Sequence, residues 1–66
     1  MVTFAETLKA ARHTAKLTQK QTAELLYGVP LRTYQAWEGG TRIPAPWCQR
    51  LILDKIHKYV MEWLHD

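Results

Sequence analysis

Side chains able to do covalent chemistry are few in this chain and far apart. There is one cysteine, Cys48, with three histidines, His13, His57 and His65, and no serine or asparagine at all. The missing serine removes the commonest hydroxyl nucleophile, and no histidine has an activated cysteine beside it in sequence, so no nucleophile–base set is legible. Glu62-x-x-His65 has the carboxylate–imidazole spacing of metal sites in helical bundles, but one copy without a second carboxylate-bearing helix falls short of a ligand set. Cys48 alone can close neither an internal disulfide nor a cysteine-based zinc site, and reads as a small buried hydrophobe. The expectation is a protein that is not an enzyme and takes no metal, cofactor or small-molecule substrate.

What remains is recognition by charge and shape. The formal net charge is +3, and residues 1–50 hold seven of the nine basic residues against three of the six acidic ones. A basic body with a nearly neutral tail points to an anionic partner for the first part and another task for the second.

The elements that position these charges follow from caps and periodicity. Thr3-Phe4-Ala5-Glu6 has the form of a capping box, and Phe4, Leu8, Ala11 and Ala15 then mark one face of a helix over about residues 4–15. Thr18 and Gln21 repeat the box ahead of a short helix over about 19–26, which Gly28 ends. Pro30 opens a third helix over about 31–38, with Tyr34 and Trp37 facing the core and Gly39-Gly40 as the stop. Thr41 to Pro46 is a loop. From Trp47 onward there is no glycine or proline, and Trp47, Leu51, Ile52, Ile56, Tyr59, Val60, Trp63 and Leu64 suggest one broad apolar stripe on a single long helix.

At 66 residues the chain holds one domain, spanning 1–66, and hides only about 60% of the surface that its unfolded form exposes. The composition is that of a globular protein, and neither a secretory leader nor a run long enough to span a bilayer is legible. A cytoplasmic, reduced location is expected.

Two short helices joined through a glycine turn, the second amphipathic, form a helix-turn-helix. The run Leu17-Thr18-Gln19-Lys20-Gln21-Thr22-Ala23-Glu24-Leu25-Leu26, then Gly28-Val29-Pro30, then Trp37-Glu38-Gly39-Gly40-Thr41-Arg42-Ile43-Pro44 resembles the phage repressor and Cro-type (XRE-like) helix-turn-helix family over about residues 4–52. The resemblance implies an all-α fold, a compact lambda-repressor-like domain of three short helices plus one long C-terminal helix. It also implies a sequence-specific, double-stranded-DNA-binding transcriptional regulator, a small phage or mobile-element repressor found at the nucleoid when bound. By position, Pro30, Leu31, Arg32, Gln35 and Ala36 fall on the major-groove helix. Arg32 then suits a guanine edge, Gln35 an adenine, and Leu31 and Ala36 thymine methyls. Thr18, Gln19, Thr33, Thr41 and Arg42 fall at phosphate positions. Arg12 and Glu38 match a family ion pair. The chain departs from the family in the extra Tyr27, in Pro30 where a serine or threonine cap is usual, and in having Arg32 as the one basic residue on the reading face.

Residues 47–66 are expected both to cap the core and to extend past it. Tyr59, Val60, Trp63 and Leu64 then make an isologous contact in a homodimer that sits on a palindromic operator. Two rivals stand beside this reading. One is a protein-interaction module, an antitoxin or phage-encoded inhibitor, that uses the same scaffold to bind a protein. The other is a DNA-bending accessory factor.

Overall fold

The computed structural model describes residues 2–64 and consists, over them, of four helices with no strand: α1 (Phe4–Thr14), α2 (Gln19–Leu25), α3 (Leu31–Gly39) and α4 (Pro46–Leu64). The all-α class read from the sequence is the class observed.

Local chemistry accounts for each boundary. Thr18 and Gln21 form a complete box: the Gln21 amide donates to Thr18 Oγ1 at 3.1 Å and the Thr18 amide to Gln21 Oε1 at 2.9 Å. At α1 only one half of the expected box is made. Thr3 Oγ1 accepts from the Glu6 amide at 3.2 Å, and the Thr7 hydroxyl donates to the Thr3 carbonyl instead. α1 ends in a Schellman turn, with the Leu17 amide on Arg12 O, the Lys16 amide on His13 O, and Lys16 left-handed at φ 58°. α3 ends the same way through Gly40 at φ 78°, where a glycine carries no penalty. Pro30 stands as the N-cap of α3 with φ −56° and gives it no side-chain bond.

Between α2 and α3 the additional residue is absorbed by unwinding. Tyr27 and Gly28 are both left-handed, at φ 65° and 71°, and the Val29 amide reaches back to Ala23 O. For a tyrosine that backbone costs about 1 kcal/mol. Its ring stays out in solvent with Lys55 Nζ 5.3 Å from the ring centroid.

The core is small. Leu8, Ala15, Ala23, Leu26, Tyr34, Ile52 and Ile56 are buried, with Phe4, Leu17, Val29, Trp37, Tyr59 and Val60 packed around them. α1 packs on α3 and α4, and α2 packs on the same two helices. The broad stripe expected on α4 divides here. Ile52 and Ile56 enter the core, but Trp47 and Leu51 are 68% and 53% exposed. Leu51 precedes Ile52 by one residue, about 100° around the helix, and Trp47 lies about 140° away, so one face cannot hold all four. No helix among the described residues is long and apolar enough to cross a membrane.

This division sets a stability contrast. Ile56→Ala should cost about 2–5 kcal/mol, enough to unfold much of so small a domain, while Leu51→Ala should change stability by less than about 0.5 kcal/mol. Urea melts followed by far-UV circular dichroism at low protein concentration compare them, and equal costs would contradict the assignment of the two faces.

Candidate nucleic-acid interface

α3 turns Tyr34, Trp37 and Glu38 inward and leaves Leu31, Arg32 and Gln35 exposed, with Thr33 and Ala36 half-buried at the flanks. The inward side is fixed by an edge-to-face pair between Tyr34 and Trp37, whose ring centroids lie 6.3 Å apart, and by a charged group, Glu38. Beyond α3, Thr41 and Arg42 are exposed on the loop, where the amides of both residues donate to Ala36 O. Of the residues read as base-facing or backbone-facing, Thr18, Leu31, Arg32, Gln35, Thr41 and Arg42 are exposed, and Gln19, Thr33 and Ala36 are half-buried. Thr18 is exposed too; its oxygen is occupied by the cap, which leaves the hydroxyl proton for an anionic acceptor.

Glu38 is the centre of the arrangement. Its carboxylate accepts from Arg12 Nε at 2.7 Å and Arg12 Nη2 at 3.2 Å, from the Tyr34 hydroxyl, and from Gln19 Nε2 at 3.2 Å. Arg12 Nη1 also donates to Leu17 O at 3.0 Å, sealing the turn between α1 and α2. Three helices thus meet at one carboxylate. Burial pushes the Glu38 carboxyl upward, but hydrogen bonds from Arg12, Tyr34 and Gln19 outweigh it and hold the group below the usual carboxylate range. The Tyr34 phenol is raised by burial and then by its bond to Glu38, and the Arg12 guanidinium is raised chiefly by Glu38.

This network changes the part expected of Gln19. An ionised carboxylate can only accept, so Gln19 must turn Nε2 toward Glu38 and leave Oε1 to face α3. Gln35 Nε2 donates to that oxygen at 3.3 Å. Gln35 keeps Oε1 and its second Nε2 proton facing solvent, the donor–acceptor pair that matches an adenine edge. Gln19 is accordingly engaged within the chain through both ends of its side-chain amide. The sequence carries a signal for part of the hub in the spacing of Tyr34 and Glu38, four apart on one face of α3.

The four residues assigned to self-association divide. Tyr59 and Val60 are half-buried against the core of their own chain, and Trp63 and Leu64 are exposed, with Lys16 Nζ 5.6 Å from the Trp63 ring centroid. Among the described residues, no three His, Cys, Asp or Glu side chains gather where a metal could be held. His65, half of the Glu62-x-x-His65 spacing, lies outside the described residues, as does Asp66. The chain matches no family model, no curated protein and no solved structure.

The hub makes stability depend on acid. Because the folded carboxyl of Glu38 sits below its ordinary value of 4.5, its contribution is complete above that value and fades as the pH falls through the lower folded one. Glu38→Gln should remove about 3 kcal/mol, since it strands the Arg12 charge, and should flatten the acid limb of a stability-against-pH curve. An acid limb of unchanged slope in Glu38→Gln would show that another carboxylate sets it.

Proposed function

We propose that this protein is a sequence-specific double-stranded-DNA-binding regulator that reads the major groove with α3 and is not an enzyme. The observation that carries the reading is the simultaneous exposure of Leu31, Arg32 and Gln35 on a helix whose other side is locked to α1 and α2 through Glu38. A short helix held rigidly at the surface, with one forked cation and one carboxamide pointing outward, suits base edges. Arg42, Thr41 and Thr18 stand beside it as phosphate contacts, and the resemblance to the Cro-type family gives the same arrangement a use. Occlusion of a promoter is the simplest mode of action, at a palindromic site bound by two copies, in the cytoplasm of a cell that carries a phage or mobile element.

One observation favours the rival, a module that binds protein. An apolar groove of about 270 Å³ runs between Tyr27, Val29, Trp47 and Leu51, with Trp37 of α3 in its wall and none of the outward residues Leu31, Arg32 and Gln35 lining it. Salt separates the two readings. A groove reader that neutralises several phosphates loses affinity for random duplex steeply as salt rises, and a protein binder has hardly any such affinity to lose.

Arg32→Ala should cost about 1–3 kcal/mol of operator affinity and relax preference at one base pair. Gln35→Ala should relax preference at a different pair, and Gln19→Ala should do so at the same pair as Gln35→Ala, with the double variant losing less than the two losses added. Selection of bound duplexes from a random pool, run on each variant, reads all three results. Unaltered preference in Arg32→Ala would show that α3 does not read the bases.

A further inference from the structure

α4 presents a second stripe on the side turned away from the core. Trp47, Leu51, Asp54, Lys58 and Met61 recur at steps of four, three, four and three, the spacing of a coiled-coil seam. All five are exposed, while Ile52 and Ile56 on the other side are buried. With Trp47 at 68%, Leu51 at 53% and Met61 at 42% exposure, the stripe holds more apolar surface than a solvated helix needs.

The charges on the same side identify what covers it. Arg50, Asp54, Lys58 and Glu62 follow at steps of four, all exposed, with alternating sign. Read from the other end the series is its own complement, so an antiparallel copy of the helix meets every charge with its opposite. With the two-fold axis level with Ile56, Asp54 faces Lys58 of the second copy, Arg50 faces Glu62, and Leu51 faces Met61. A parallel copy sets like charge on like at each position. Sliding the antiparallel copy by one turn does the same. A parallel copy slid by one turn pairs opposite charges only head to tail, without closing a two-fold. Among two-fold arrangements, the antiparallel one centred on Ile56 is therefore the one that pairs all four charges.

We propose that this outward face of α4 is a self-association surface, on which a second copy of the chain docks antiparallel through Leu51–Met61 and Asp54–Lys58 contacts across a two-fold axis. It is a different surface from the one that holds Tyr59 and Val60, which pack on their own core. It uses no residue of α3, so it stands whether or not DNA is the ligand.

Sedimentation equilibrium of the full chain tests it. One helix face per subunit is smaller than a standard interface of about 1,600 Å², so the dimer should dissociate in the micromolar range, within loadings from about 5 to about 200 µM. Asp54→Lys and Lys58→Asp should each leave the circular dichroism spectrum unchanged and weaken the dimer by about tenfold or more. The double swap Asp54→Lys/Lys58→Asp should return it to within about threefold of the parent. Register is read by disulfide formation in a Cys48→Ala background. Leu51→Cys mixed with Met61→Cys should cross-link, and neither alone should, because two copies of residue 51 lie about 15 Å apart along the axis. A monomer at every loading, a dimer indifferent to Asp54→Lys, a swap that fails to restore, or self-cross-linking of either single variant would each overturn the proposal. A monomer that still binds duplex removes this surface and leaves the DNA reading standing; a dimer without duplex affinity does the opposite.

Discussion

One buried carboxylate holds the helix-turn-helix together. The two oxygens of Glu38 receive two bonds from the Arg12 guanidinium, one from the Tyr34 hydroxyl and one from the Gln19 amide, about as many as an ionised carboxylate can take. A buried pair of this kind adds little net stability compared with an apolar core of the same volume. Its effect is on geometry. A core in which seven hydrophobic residues are buried among the described ones, two of them alanine, can tolerate several small rotations of α3 against its neighbours. Four directional bonds from three helices tolerate one.

That constraint reaches the surface through Gln19. Because the carboxylate fixes which end of the Gln19 amide points inward, it also fixes which end meets Gln35, and so the polarity that Gln35 shows to solvent. Arg32, by contrast, is placed by the helix alone. The outward side of α4 obeys neither rule: Trp47, Leu51, Asp54, Lys58 and Met61 are exposed, and their regularity is one of spacing and charge.

Much of the fold was legible because local rules decided it. The Thr18–Gln21 box, the stop at Gly39-Gly40 and the unbroken run after Pro46 each act within one turn of chain, and the elements begin and end close to where those signals stand. The α4 stripe was harder, since the apolar residues of 47–64 spread over more than one face and nothing local says which of Trp47, Leu51, Ile52 and Ile56 the core will take. Arg12 with Glu38 came from resemblance, and the pair is formed at 2.7 Å. The remaining hub bonds were not anticipated, since Gln19 and Glu38 are nineteen positions apart and an amide gives no sign of its partner. The left-handed backbone of Tyr27 and Lys16 likewise runs against residue preference, since neither side chain signals a positive φ.

The three tryptophans occupy three different settings. Trp37 is half-buried and edge-on to Tyr34, Trp47 stands in water at the start of α4, and Trp63 lies near its end with a lysine ammonium beside its ring. Intrinsic fluorescence of this small domain is therefore three signals in one band. Quenching of Trp47 by dissolved iodide reports what lies over the head of α4, and the emission wavelength of the half-buried Trp37 reports whether the inward side of α3 is covered. Single-tryptophan variants would let a spectrometer follow each end of the molecule separately, without an added dye.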